Sequence, residues 1–170
     1  MKPMYNALQI ASFYIKKGVT PLKLQKLLYY SQVWFFVKEE SYLFEDRIEA
    51  WIYGPVVKDV WQVYKYMRKG INIHRDKLDK PISLDNDTKN HLEEVWKAYG
   101  HLKGLELVEL THSEIPWRDQ RFGLLPHEPS DRLLSINKET TQGFNLENDK
   151  TIPIINTQVK SAIITNIVRF

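Results

Sequence analysis

The chain concentrates its most suggestive chemistry in Thr111-His112-Ser113-Glu114-Ile115-Pro116-Trp117-Arg118. His112 could act as a general base and Glu114 as the acid that orients it, which would suit a hydrolase. The same residues also have a structural use. Thr111 or Ser113 caps a turn, Glu114 bonds nearby backbone N–H groups, and Trp117 plugs the core behind Pro116. The structural use is favoured, because acid, base and hydroxyl often crowd one loop, while catalytic sites draw on several elements.

Other chemistry is excluded motif by motif. The seven glycines are dispersed and form no phosphate-binding GxGxxG or GxxxxGK[ST] run. His127-Glu128 lacks the second histidine of a zincin, and the histidines at 74, 91, 101, 112 and 127 show no metal-ligand spacing. No GxSxG elbow occurs, and without cysteine there is neither a thiolate ligand nor a disulfide. No cofactor and no metal are expected.

Binding chemistry is better supplied. Five Trp, nine Tyr and seven Phe are more ring surface than one small core readily absorbs. Tyr29, Tyr30 and Trp34 lie in a segment apolar around most of its circumference, and Trp51 and Tyr53 alternate against Ile48, Ala50 and Ile52. Some of these five rings are expected to form an accessible patch for a protein partner, the competing expectation being that all are core.

The elements that must position these residues follow from periodicity. Asn6 to Lys17 reads as a helix capped by Asn6 and stopped by Gly18, with Ala7, Ile10, Ala11 and Tyr14 inward. Thr20-Pro21 opens a second helix, to about Val37, with Leu24, Leu27, Leu28, Ser31 and Phe35 inward. Ile48 to Tyr53 has the period of a strand, and Pro55 is expected to start a third helix carrying Val56, Val60, Val63, Tyr64 and Met67 as far as Gly70. A helix over about Thr88 to Tyr99 turns Leu92, Val95, Trp96 and Tyr99 inward. A shorter one uses Leu105, Val108 and Leu110, and a further helical turn follows Arg118. Residues 122 to 150 read as an irregular insertion, Thr151 to Ile155 as a candidate second strand, and Thr157 to Val168 as a last helix. The fold expected is mainly α (α+β), a single-domain helical bundle of five to six helices with a small β-sheet, spanning 1–170. Leu24, Leu27, Leu28, Val60, Trp96 and Trp117 should share its core.

Composition agrees with a globular domain: 43% hydrophobic, 26% charged. The opening Met1-Lys2-Pro3-Met4-Tyr5-Asn6 lacks the apolar run of a signal peptide, and the apolar stretch near Val33 to Val37 is too short to cross a bilayer. A cytoplasmic protein without membrane contact is expected. A net charge of +3, spread among nearly as many acids, makes nucleic acid an unlikely partner.

Three separated blocks resemble the SocA-like Panacea domain, an antitoxin family also found in phage-associated proteins. They are Thr20-Pro21-Leu22-Lys23-Leu24-Gln25-Lys26-Leu27-Leu28-Tyr29-Tyr30-Ser31-Gln32, Glu49-Ala50-Trp51-Ile52-Tyr53-Gly54-Pro55-Val56-Val57, and Leu110 to Arg118. The resemblance covers about residues 1 to 121. It implies an antitoxin-like protein-binding module, not an enzyme, that neutralises a protein toxin encoded nearby by direct contact. It also implies, from one relative, an adaptor role toward an AAA+ protease. A DNA-binding regulator is the remaining alternative, weakened by the scattered charge.

Overall fold

The computed structural model describes residues 4–75 and 83–155. Helix α1 (Ala7–Lys17) begins with a reciprocal cap in which Gln9 N–H donates to Asn6 Oδ1 and Asn6 N–H to Gln9 Oε1, both at 2.9 Å. Gly18, at φ +89°, ends it. Helix α2 (Pro21–Glu39) starts on Thr20, whose hydroxyl accepts from Lys23 N–H, and on Pro21, whose missing donor costs nothing at the first position. A helix polar on one side would leave that side in water; here every residue from Leu24 to Phe35 is buried. The all-round apolar surface therefore belongs to a central helix, ringed by α1, α3 (Lys58–Tyr64), α4 (Asn86–Tyr99), α5 (Gly104–His112) and a β-hairpin. A short α6 (Ile115–Gln120) follows α5. Six helices and one two-stranded sheet thus surround a single core that reaches from Tyr5 to Ile152 among the described residues.

The hairpin departs from expectation. Gly54-Pro55-Val56-Val57 does not open a helix but forms β2, antiparallel to β1 (Ile48–Trp51), and α3 begins only at Lys58. Pro55 is tolerated because it faces Ala50 at a position whose backbone points away from the partner strand. Ala50 N–H turns outward to Arg132 C=O at 2.8 Å, and Leu134 N–H reaches Ile48 C=O at 2.8 Å. The segment beside β1 is therefore 132–134, with a bridge between Glu49 and Leu133. Thr151 to Ile155, the candidate strand, is irregular. On the other edge α2 stands in for a strand: Gln25 accepts from Val57 N–H at 2.8 Å and donates to its carbonyl, and Lys26 Nζ donates to Pro55 C=O at 2.8 Å. Both sheet edges are covered.

Smaller corrections follow from packing. In α5 the buried leucine is Leu107, while Leu105 is 56% exposed, because α5 turns its Leu107–Thr111 side onto the core. Leu24, Leu27, Leu28 and Val60 are buried as expected, but Trp96 and Trp117 are only half-buried. Trp96 lies under the Lys23 ammonium, 5.2 Å from its ring centre, at the rim of the core. Residues 122–150 are irregular but anchored, since Ile136 and Phe144 enter the core and Phe144 meets Trp34 edge-to-face at 5.4 Å. The helix expected over Thr157 to Val168 lies outside the described residues.

Candidate functional site: a buried polar knot beneath an aromatic hairpin

The three motif blocks, far apart in sequence, meet at one place. Gly54, at φ +95°, sits where a Cβ would come within 2.7 Å of Thr111 Oγ1 and 3.0 Å of Lys26 Cε. Only glycine lets the hairpin, α2 and α5 approach so closely. Trp117 then fastens the hairpin tip, its indole N–H donating to Trp51 C=O at 2.8 Å. Arg121 lies 5.7 Å from the Trp117 ring centre and reaches the Ala50 carbonyl.

Around this junction the polar groups divide into two sets. On one side Tyr30 OH donates to Glu114 Oε1 at 2.8 Å and stacks on Tyr99 at 3.9 Å, and Trp34 Nε1–H donates to the Tyr99 hydroxyl at 2.7 Å. Burial pushes the Glu114 carboxyl up to about 8, against the stabilising tyrosine hydroxyls, so it is largely a neutral acid at neutral pH. The Tyr29 hydroxyl faces the same carboxyl without a hydrogen bond of regular geometry. On the other side Lys26, wholly buried, is drawn down to about 7 by desolvation, with the Pro55 carbonyl as its one hydrogen-bond acceptor among the described residues. His112 stacks flat on Trp117, ring centres 3.9 Å apart, with its Nε2 buried and without a hydrogen-bond partner among the described residues. Burial, then the nearby Lys26 charge, hold His112 down to about 4, a bond to the Ile52 backbone opposing them.

This geometry does not assemble the histidine–glutamate pair. Glu114 turns to the tyrosines of α2 and α4, whereas His112 turns to Trp117 and the hairpin, and no hydrogen bond joins them. A histidine held neutral and stacked is a packing element with weakened basicity. The hollow of about 760 Å³ near Tyr5, Asp46 and Glu49 is lined by neither. Among the described residues no group of three or more His, Asp or Glu could hold a metal ion.

Of the five rings expected at a partner surface, Tyr29, Tyr30 and Trp34 are buried and offer no accessible face. Their helix is enclosed on every side, so its excess of rings is spent on the core. Trp51 and Tyr53 lie elsewhere. Trp51 is half-buried, held by Glu49 Oε2 on its indole N–H at 2.6 Å and packed edge-to-face on Trp61 at 5.0 Å, and Tyr53 at the hairpin tip is 64% exposed. Sequence reasoning passed over Trp61, though its position beside Trp51 needed the hairpin to be seen. It also passed over Lys26, a charge on the same helical stripe as Lys23 but flanked by Leu24, Leu27 and Leu28.

No curated protein and no solved structure matches the chain. Residues 24–118, more than half of the chain and reaching into all three blocks that converge here, match the family described as antitoxin SocA-like, Panacea domain, and the chain belongs to that family.

Proposed function

We propose that the chain is the antitoxin of a toxin–antitoxin pair and neutralises a protein toxin by direct contact, with the hairpin tip as the contact surface. The observation that carries this is the division of labour among the aromatic residues. Tyr29 and Tyr30 are consumed in the scaffold, while Tyr53 stands in solvent at the hairpin tip, two residues from the half-buried Trp51 that packs on Trp61. Such rings supply much contact area at little entropic cost and commonly dominate affinity. Membership in an antitoxin family supports the toxin as partner, and delivery of that toxin to an AAA+ protease is a further step of the same reading. A cytoplasmic site of action goes with it; no described helix is long and apolar enough to cross a membrane.

The test is co-expression with the product of the adjacent gene, scored by cell growth and by affinity in vitro. Replacing Trp51 and Tyr53 with Ala should weaken binding by about 2 kcal/mol or more at a hot spot, roughly thirtyfold, in a protein that remains folded. Full affinity in both variants would refute the assignment. A folded His112→Ala chain that binds at wild-type affinity yet fails to protect cells would show that contact alone does not neutralise the toxin and would reopen a catalytic role for His112.

A further inference from the structure

The surface next to the hairpin carries information about what the partner must look like. Between Val60 and Arg75 the sequence contains Lys65, Arg68, Lys69, His74 and Arg75 and no acidic residue. The following Asp76-Lys77-Leu78-Asp79-Lys80 carries equal and opposite charges. Lys65, Arg68 and Lys69 are exposed, and none is ion-paired among the described residues. Arg75 donates to the Lys16 carbonyl at 2.6 Å, which brings the exposed Lys16 of α1 beside the same stretch.

Apolar groups are interleaved with these cations. Tyr66 is 84% exposed, and Val63 and Ile71 are each nearly half exposed. The Lys65 ammonium lies 5.3 Å from the Trp61 ring centre and 5.0 Å from that of Tyr66, so one cation spans the two rings. Trp61 in turn packs on Trp51, making the basic segment continuous with the hairpin. Cations held over rings with aliphatic side chains beside them match a segment that offers carboxylates and apolar anchors in alternation. Nucleic acid fits less well. Val63 and Ile71 have no use against phosphates, and within residues 61–75 Tyr66 is the one exposed Trp or Tyr ring, a poor platform for successive bases.

We infer that residues 61–75, with Lys16 and the hairpin tip, form a basic–aromatic face that docks an acidic, apolar-containing segment of a protein partner. This rests on the reading of the chain as a protein binder and adds the partner's chemistry to it.

The experiment uses the full chain and three labelled probes followed by fluorescence anisotropy: a peptide alternating Glu and Asp with Leu and Trp, its twin with Lys at every acidic position, and an oligothymidylate. The acidic peptide should bind, and Lys65→Glu/Arg68→Glu/Lys69→Glu should weaken it at least about tenfold. A rise from low to moderate salt should weaken it similarly, as expected where exposed charges steer association. Tyr66→Ala should weaken it without altering the salt dependence. Because these side chains are exposed, each variant should melt like the wild type, and a Gln-substituted triple variant should fall between the two. Equal binding of the acidic peptide and its basic twin, no binding of either, or indifference to the triple substitution would overturn the inference. Tighter oligothymidylate binding through the same residues would overturn it in favour of nucleic acid. Protection of cells separates the two readings. If the charge-reversed chain still neutralises the toxin while the Trp51 and Tyr53 variants do not, the acidic-partner inference fails and the hairpin contact stands. If charge reversal abolishes neutralisation while the Trp51 and Tyr53 variants leave it intact, the hairpin assignment fails alone.

Discussion

Replacing Gly54 with Ala tests the convergence of the three blocks most directly. Two costs add at this position. The backbone sits at φ +95°, where a side chain costs about 1–2 kcal/mol. The new Cβ would also press within 2.7 Å of Thr111 Oγ1 and 3.0 Å of Lys26 Cε, both buried, and overpacking of this kind costs about 1–3 kcal/mol. The sum, about 2–5 kcal/mol, is a large part of the ~5–15 kcal/mol that holds a domain together. Gly70 supplies the control, since its φ is +75° but nothing lies within 4 Å of its Cβ position. Gly70→Ala should cost only the backbone part, about 1–2 kcal/mol. With a urea slope of about 2 kcal/mol per molar, the Gly54 variant should melt about 1–2.5 M earlier and the Gly70 variant about 0.5–1 M earlier. Adding Thr111→Ala to Gly54→Ala should recover part of the loss, a coupling that distant sites do not show. Equal shifts at Gly54 and Gly70, with no coupling to Thr111, would mean that the blocks do not press on one another.

Three further outcomes are expected. Leu27→Ala removes a fully buried side chain of the central helix and should cost about 2–5 kcal/mol in the same urea melts; an unchanged midpoint would contradict the enclosure of α2. Asp85→Ala should cost about 1 kcal/mol, because the Asp85 carboxylate caps α4 on Thr88 N–H at 2.9 Å and accepts from Tyr5 OH at 2.7 Å. Glu114→Gln reports through pH: folding raises the Glu114 carboxyl above its ordinary range to about 8, so its contribution is fully present below about pH 4.5 and is lost as pH rises through about 8. The variant should therefore gain on the wild type by at most about 1.4 kcal/mol per pH unit across that window. Lys26 and His112, whose shifts run the other way, cancel in the difference. Parallel pH profiles would place the Glu114 carboxyl in water.

Local signals in the chain determined most of the helical frame. The Asn6 and Thr20 caps, Pro21 at a first helical position and the stops at Gly18 and Gly100 are short-range chemistry, and they placed α1, α2 and α4 within a few residues. The three motif blocks likewise identified the family, because block identity and order survive without any knowledge of their arrangement. What only the tertiary structure decided was which rings are left over. An all-round apolar helix is compatible with a central position or with a partner face, and that choice depended on what surrounds it; enclosure by four helices and the hairpin buried Tyr29, Tyr30 and Trp34. Pro55 reads as a helix start from its neighbours alone, yet Gln25, Lys26 and the 132–134 segment supply the bonds that make it strand. His112 and Glu114 are two residues apart in sequence, but folding sends their side chains to different partners, since one must stack on Trp117 and the other must find the buried tyrosine hydroxyls. Sequence spacing reports what is near along the backbone, and a buried polar group is satisfied by whatever the packed elements bring to it.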